Sequence, residues 1–262
     1  MYNFEFSNPK TIENATKALS SEDAQALGGG QTLLPTMKQR LASAEVLVSL
    51  SGISEMVGVS QSDGTVSIGG ATTHAEVARQ SREAYPALAQ LAGKIGDPAV
   101  RNRGTIGGSL ANNDPAACYP AGALASGATI QTNKREIQAD EFFRGMFETA
   151  LDEGEIITSV TFPVPEVANY QKFEQPASRF ALVGVFVAKT SGGVRVAVTG
   201  ASNNGVYRWR EAEAALSTDF SASAIDGMSG DPSDMIEDLH GSPAYRAHLV
   251  GVLTRRAVSS CS

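Results

Sequence analysis

Residues 24–50 read AQALGGGQTLLPTMKQRLASAEVLVSL. Ala24 to Leu27 is a short strand that stops at Gly28-Gly29-Gly30. A helix is predicted over Leu33 to Arg40, and Val46 to Leu50, rich in β-branched residues, is the next strand. This order puts a loop without side chains at the mouth of a helix. Upstream, Phe4-Glu5-Phe6 reads as a strand, and Pro9 and Thr11 open a helix with Ile12, Ala15 and Leu19 at helical spacing. The first 55 residues are therefore expected to form a β-α-β-α-β unit.

A second unit starts near Gly58. Val66-Ser67-Ile68 is a strand that stops at Gly69-Gly70, and Thr73 with Glu76 forms a capping box that starts a helix. Helical text from Tyr85 to Lys94 leads to Asp97-Pro98 and a long loop. Ala128–Gln131 and Arg135–Gln138 suit a hairpin, and Ile156 to Phe162 is a strand stopped by Pro163 and Pro165. Pro163 to Asn169 reads as a linker. Leu182–Thr190 and Val194–Ala201 alternate around Ser191-Gly192-Gly193 as an antiparallel hairpin. Helices follow over Glu211–Leu216, near Ala222–Met228, and from Pro243 to about Val258.

A second glycine cluster, Arg101-Asn102-Arg103-Gly104-Thr105-Ile106-Gly107-Gly108-Ser109-Leu110, partners the first. Glycine leaves the backbone free to approach a ligand, so successive N–H groups can converge on an anion. Thr32, Thr105 and Ser109 add hydroxyl donors, and two such loops suit the two phosphates of a dinucleotide. Tight turns without a ligand are the plain alternative. Neither cluster is G-x-G-x-x-G, and no P-loop sequence occurs.

Composition narrows the function. The 262 residues carry 21 Lys and Arg against 28 Asp and Glu, a net charge of −7, which disfavours nucleic acid as a partner. With 42% hydrophobic residues, a packed core is expected. Cys118 and Cys261 are the only cysteines and the histidines number three. Two cysteines cannot ligate an iron–sulfur cluster or build a structural zinc site unaided, the three histidines are scattered, and a disulfide framework is not expected. No membrane span or signal peptide is evident, so a cytoplasmic location is expected.

Five stretches in order resemble the FAD-binding medium subunits of molybdenum hydroxylases, among them those of aerobic carbon monoxide dehydrogenases and xanthine dehydrogenase relatives. LGGGQTLLPTMKQRL resembles A-G-G-H-S-L-L-P-x-M-K-x-R-L. IGDPAVRNRGTIGGSLANNDPAACYPA resembles I-x-x-x-x-V-R-N-x-G-T-I-G-G-S/N followed by D-P-A. EIITSVTFPVP, YQKFEQPASRFALVGVFVA and SPAYRAHLVGVLTRRAV resemble the strand closing the flavin domain, the opening of the C-terminal domain and the terminal helix.

The resemblance implies an α+β fold in three parts: residues 1–55, a small β-α-β-α-β subdomain; residues 56–165, a larger mixed α/β subdomain; and residues 166–262, a C-terminal domain with an antiparallel sheet and helices. It implies noncovalent FAD. It also implies a small [2Fe–2S] subunit as electron donor, a large molybdenum–pterin subunit behind it, and a dimer of heterotrimers as the assembly. Gly28, Gly29, Gly30, Gln31 and Thr32, with Leu33 after them, and Thr105, Ile106, Gly107, Gly108 and Ser109 would hold the pyrophosphate and ribityl chain. Asp114 falls on the D-P-A aspartate beside the flavin, Ile157 where a backbone group meets the isoalloxazine edge, and Lys172 near the ring. Gln31 stands where many relatives carry His, and Cys118 where many carry an Asp that reaches the ribityl chain. No catalytic or metal-ligating residue is assigned.

Several single residues have plain readings too. Asp114 also suits a cap on the turn at Pro115, Lys172 a solvated strand charge, Cys118 a packed thiol, and His74 an ordinary helix-start residue. Arg101 suits either a phosphate or a loop-supporting contact. Two other functions fit the same loops: a self-contained FAD-dependent oxidoreductase, and a cofactor-free interaction module.

Overall fold

The structure is a computed structural model that describes residues 1–176 and 178–261. Ala177, within the 170–188 stretch quoted above, and Ser262 lie outside the described residues. The opening unit consists of β1 (Glu5–Ser7), α1 (Ile12–Leu19), β2 (Ala24–Leu27), α2 (Leu33–Lys38) and β3 (Val46–Ser49). The Thr11 hydroxyl accepts the Asn14 amide and starts α1. β3 lies between β1 and β2 and runs parallel to both. Successive residues of β3 serve opposite faces. Leu47 packs with Met37 of α2, while Val48 packs with Ala15 and Leu19 of α1.

The middle unit runs through β4 (Val59–Ser62), β5 (Thr65–Gly69), α3 (His74–Gln80), α4 (Pro86–Gly93), α5 (Pro98–Arg101), α6 (Ile106–Asn112) and α7 (Tyr119–Ser126). It continues with β6 (Thr129–Thr132), β7 (Glu136–Gln138), α8 (Ala139–Phe142), β8 (Phe143–Gly145), β9 (Glu148–Thr149) and β10 (Ile157–Pro163). Five strands form an antiparallel sheet in the order β4-β5-β10-β6-β7. The long loop expected after Asp97 is instead three helices. α6 reads IGGSLAN, a poor intrinsic helix former. It holds because the Thr105 hydroxyl caps it and Ile106 and Leu110 are fully buried. α7 is buried on every side, so it shows no amphipathic period. β4 and the β8–β9 hairpin were not anticipated either.

The last unit is β11 (Val167–Glu174), β12 (Ala181–Thr190), β13 (Gly193–Thr199), β14 (Tyr207–Arg208), α9 (Arg210–Thr218) and α10 (Pro243–Ser260). Its strands form an antiparallel sheet in sequence order. Strand pairing begins at Val167, so the connection from β10 is shorter than the linker read from the prolines. Residues 181–188 of β12 are all buried because both faces of the sheet are covered. Val183, Val185 and Val187 meet α9 and α10, whereas Phe186 and Ala188 join the core of the middle unit with Tyr85 and Leu91.

Polar contacts tie the last unit to the middle one. Arg195 donates to Leu124 O (2.6 and 3.0 Å), and Arg195 and Arg208 share Asp140 (2.5 and 3.1 Å). Within the last unit, Arg246 of α10 is 2% exposed and donates to Leu182 O and Gly200 O (2.7 Å each) and to Asp238 (2.7 Å). Replacing Arg246 with Met leaves two buried carbonyls without donors and Asp238 without its cation. Arg246→Met should lower stability by about 3 kcal/mol, read as a shifted denaturant midpoint.

Candidate functional site

Gly29 sits on the backbone of the second glycine segment. A Cβ on Gly29 would lie 2.0 Å from Arg103 O and 2.5 Å from the Gly104 Cα. A Cβ on Gly28 would lie 2.8 Å from the Thr105 hydroxyl oxygen. The two glycine segments are therefore pressed together, and they form the floor of one cleft of about 530 Å3. That volume lies within the range of cofactor sites.

The first loop turns at Gly30, whose φ of +70° is a left-handed conformation that favours glycine. The Leu34 amide donates to Gly30 O and the Thr36 amide to Thr32 O. The amides of Gly28, Gly29, Gly30, Gln31, Thr32 and Leu33 have no acceptor among the described residues. They are a run of free donors at an open cleft, and an anion would satisfy them. The side-chain amide of Gln31 donates from Nε2 to Gly29 O (3.1 Å) and braces the loop.

The second loop differs from expectation. Its amides are used by the fold: Ile106 N–H donates to Thr72 O, Gly107 N–H to Gly70 O, Gly108 N–H to the Thr105 hydroxyl and Ser109 N–H to Thr105 O. Ile106 is fully buried in the core and does not line the cleft. What remains available there are the Thr105 and Ser109 hydroxyls and a wall without side chains at Gly107 and Gly108.

Gly28, Gly29, Gly30, Gln31, Thr32, Leu33, Thr105, Gly107, Gly108, Ser109, Asp114, Cys118, Ile157 and Lys172 all line this cleft. Asp114 accepts the Ala116 amide (2.8 Å), so it caps the Pro115 turn and faces the cleft as well. Burial raises its carboxyl above the ordinary range, partly countered by that amide. The same turn is anchored to the last unit, because Thr199 Oγ1 lies 2.8 Å from Pro115 O and from Ala117 O. Cys118 is buried at the start of α7. Lys172 is not a solvated charge, since its ammonium donates to Lys94 O (2.8 Å) at the cleft. Arg101 takes the loop-supporting role, donating to Ile95 O (3.1 Å) and Gly96 O (2.7 Å).

Four contributors were not assigned from sequence. Gly70 reads as a strand stop, yet it accepts the Gly107 amide and a Cβ there would lie 2.1 Å from Ile157 O. Its signal was present as a third glycine doublet. Arg179 and Phe180 line the cleft from the last unit. Glu155 shapes the Ile156–Ile157 wall: its buried carboxylate takes bonds from Arg135 (3.0 and 3.2 Å), Thr132 (2.6 Å) and the Asp152 amide (2.8 Å). Burial alone would raise its pKa, but these donors outweigh burial and hold it at about 2.

A family profile described as "FAD binding domain in molybdopterin dehydrogenase" matches residues 2–165. The chain belongs to that family. Its cofactor is FAD, and it is an FAD-dependent oxidoreductase subunit of the molybdenum hydroxylase type. The cofactor-free alternative is thereby overturned. The carbon monoxide dehydrogenase medium chain of Afipia carboxidovorans is 31% identical, over 97% of this chain and 95% of that one. The nicotine 6-hydroxylase medium subunit of Paenarthrobacter nicotinovorans is 33% identical over the same shares. A solved carbon monoxide dehydrogenase chain from Hydrogenophaga pseudoflava superposes with a TM-score of 0.88, at 31% identity, over 99% of this chain and 97% of that one. Free amides on one loop, glycines where Cβ atoms would intrude and a cleft reaching all three units fit a dinucleotide.

Gly108 is exposed in the cleft, and outside its own helix backbone and chain neighbours an added Cβ would meet, among the described residues, only the Thr105 hydroxyl oxygen, at 3.0 Å. Gly108→Val should weaken FAD binding by about 10- to 100-fold in a fluorescence titration, with an unchanged circular dichroism spectrum. Gly29→Val should differ, losing about 2 kcal/mol or more of stability as well, because its Cβ strikes backbone. For Glu155, the depressed folded pKa contributes stability above the unfolded value of about 4.3, and this is lost as pH falls toward 2. Glu155→Gln should flatten the acid limb of the stability profile between those values, measured by urea titration.

Proposed function

We propose that this chain is the flavin subunit of a heterotrimeric molybdenum hydroxylase. It takes electrons from [2Fe–2S] clusters of a small partner subunit, which a large molybdenum–pterin subunit supplies. It passes them to an external acceptor: a quinone, NAD, oxygen or a protein. A dimer of heterotrimers in the cytoplasm is the assembly we assign. The observation that supports this reading most is the near-full-length match to chains named as medium chains or subunits of dehydrogenases and hydroxylases. The two cysteines cannot bind a cluster themselves, so a cluster must come from elsewhere. No helix among the described residues is long and apolar enough to cross a membrane.

Bound FAD supplies the ability to accept electrons singly and release them singly or in pairs. The chain's own part is to bind and orient it. The free amides of Gly28 to Leu33 and the hydroxyls of Thr105 and Ser109 would meet the phosphates. Asp114, Ile157 and Lys172 would flank the ribityl and ring end, and the Ile156–Ile157 wall with Phe180 would exclude water there.

A self-contained oxidoreductase makes the opposite kinetic claim. The FAD-loaded chain alone should show no bleaching of flavin absorbance with carbon monoxide, an aldehyde, a purine or an N-heterocycle. With the small and large subunits added, one of these substrates should bleach it rapidly. Bleaching by the isolated chain at the rate of the complex would establish the self-contained enzyme instead.

A further inference from the structure

Beside Gly104 of the second glycine segment lies His74, an imidazole whose ring nitrogens have no hydrogen bond among the described residues. It is 4% exposed and still lines the cleft. Its backbone N–H donates to Gly104 O (2.9 Å), and the preceding Thr73 pairs with Thr105 as an isolated β-bridge. A Cβ on Gly104 would lie 2.5 Å from His74 Nε2, just as a Cβ on Gly29 would lie 2.5 Å from the Gly104 Cα. Gly104 thus touches Gly29 on one side and the imidazole on another, and a Cβ would clash at either contact.

The ring is short of partners. Nδ1 is buried with no hydrogen bond among the described residues, and the Tyr119 ring packs beside the imidazole at 5.3 Å. Nε2 likewise has no hydrogen-bond partner among the described residues but is not sealed off as Nδ1 is, so it is the nitrogen left to meet a ligand in the cleft. Burial, and then the Arg101 charge, lower the imidazole pKa to about 4, so the ring is neutral at pH 7. A neutral imidazole carries one proton, and an anion at Nε2 selects the tautomer that donates from Nε2. Glu76, the carboxylate on the same helix, is engaged by Arg79 and Gln80. The second loop has already spent the amides of Ile106 to Ser109, so an anion gripped by Gly28 to Leu33 lacks backbone donors on that side.

We propose that His74 is a phosphate-binding residue of this cleft, donating Nε2–H to a pyrophosphate oxygen of FAD. The assignment rests on the FAD-binding reading of the chain and extends it to a residue outside both glycine loops.

The test is a fluorescence titration of the full chain with FAD and with riboflavin, which lacks phosphate. His74→Phe keeps a ring and removes the donor, and His74→Gln keeps a donor. A hydrogen bond to a charged group predicts a loss of about 10-fold or more in FAD affinity for His74→Phe and less than about 3-fold for His74→Gln. Riboflavin binding should be unchanged in both. Wild-type FAD affinity in His74→Phe, or an equal loss for riboflavin, would overturn the assignment. Should His74→Phe fail to fold, the wild-type chain labelled with 15N-histidine decides. It contains only His74, His240 and His248, and added FAD should shift one Nε2–H signal. No shift on saturation overturns the proposal, whereas a wild-type chain that binds no FAD at all strikes the underlying reading first.

Discussion

Everything in this cleft depends on the absence of two Cβ atoms where the first loop meets the second. Gly29 lies so close to Arg103 O and the Gly104 Cα that only a hydrogen, and no Cβ, fits between them. That contact sets the gap between the parallel sheet of the opening unit and the helices of the middle unit. The first loop keeps its backbone amides unpaired among the described residues. The second loop reaches the same spot by the opposite route and spends its amides on Thr72, Gly70 and Thr105. One segment is the donor surface and the other is the rigid wall behind it.

Much of this was legible in the residues. The parallel opening unit followed from the order of its short apolar runs, and β2 falls on Ala24–Leu27 as read. The β12–β13 hairpin was visible because Ser191-Gly192-Gly193 interrupts two alternating runs. The helices of 98–126 were not visible, for a physical reason. α6 owes its existence to one hydroxyl cap and two buried side chains, and α7 is surrounded by protein, so neither displays a solvent-facing period. Propensity describes a helix in water, and these helices never face it.

The site was legible to a similar degree. Glycine and hydroxyl residues announce a phosphate loop, yet whether an amide is free is decided by partners far away in sequence. Ile106 carries the right motif letter and has its N–H tied to Thr72 and its side chain in the core. Glu155 illustrates the converse. It is one of 28 acidic residues in the chain, and only its burial beside Arg135, Thr132 and the Asp152 amide marks it as a support for the cleft wall. His74 likewise becomes informative only once Gly104 is seen against its ring.

The double coverage of β12 has a temporal consequence. Its Phe186 and Ala188 complete a core begun by Tyr85, Leu88 and Leu91, about a hundred residues earlier in the chain. During synthesis from the N-terminus the glycine loops and the middle sheet leave the ribosome first, with one apolar wall still bare. Closing that wall requires pairings of high sequence separation, which form slowly. The nascent flavin-binding half therefore passes through an interval in which it is exposed to premature association, and the last unit acts as the built-in cover that ends it.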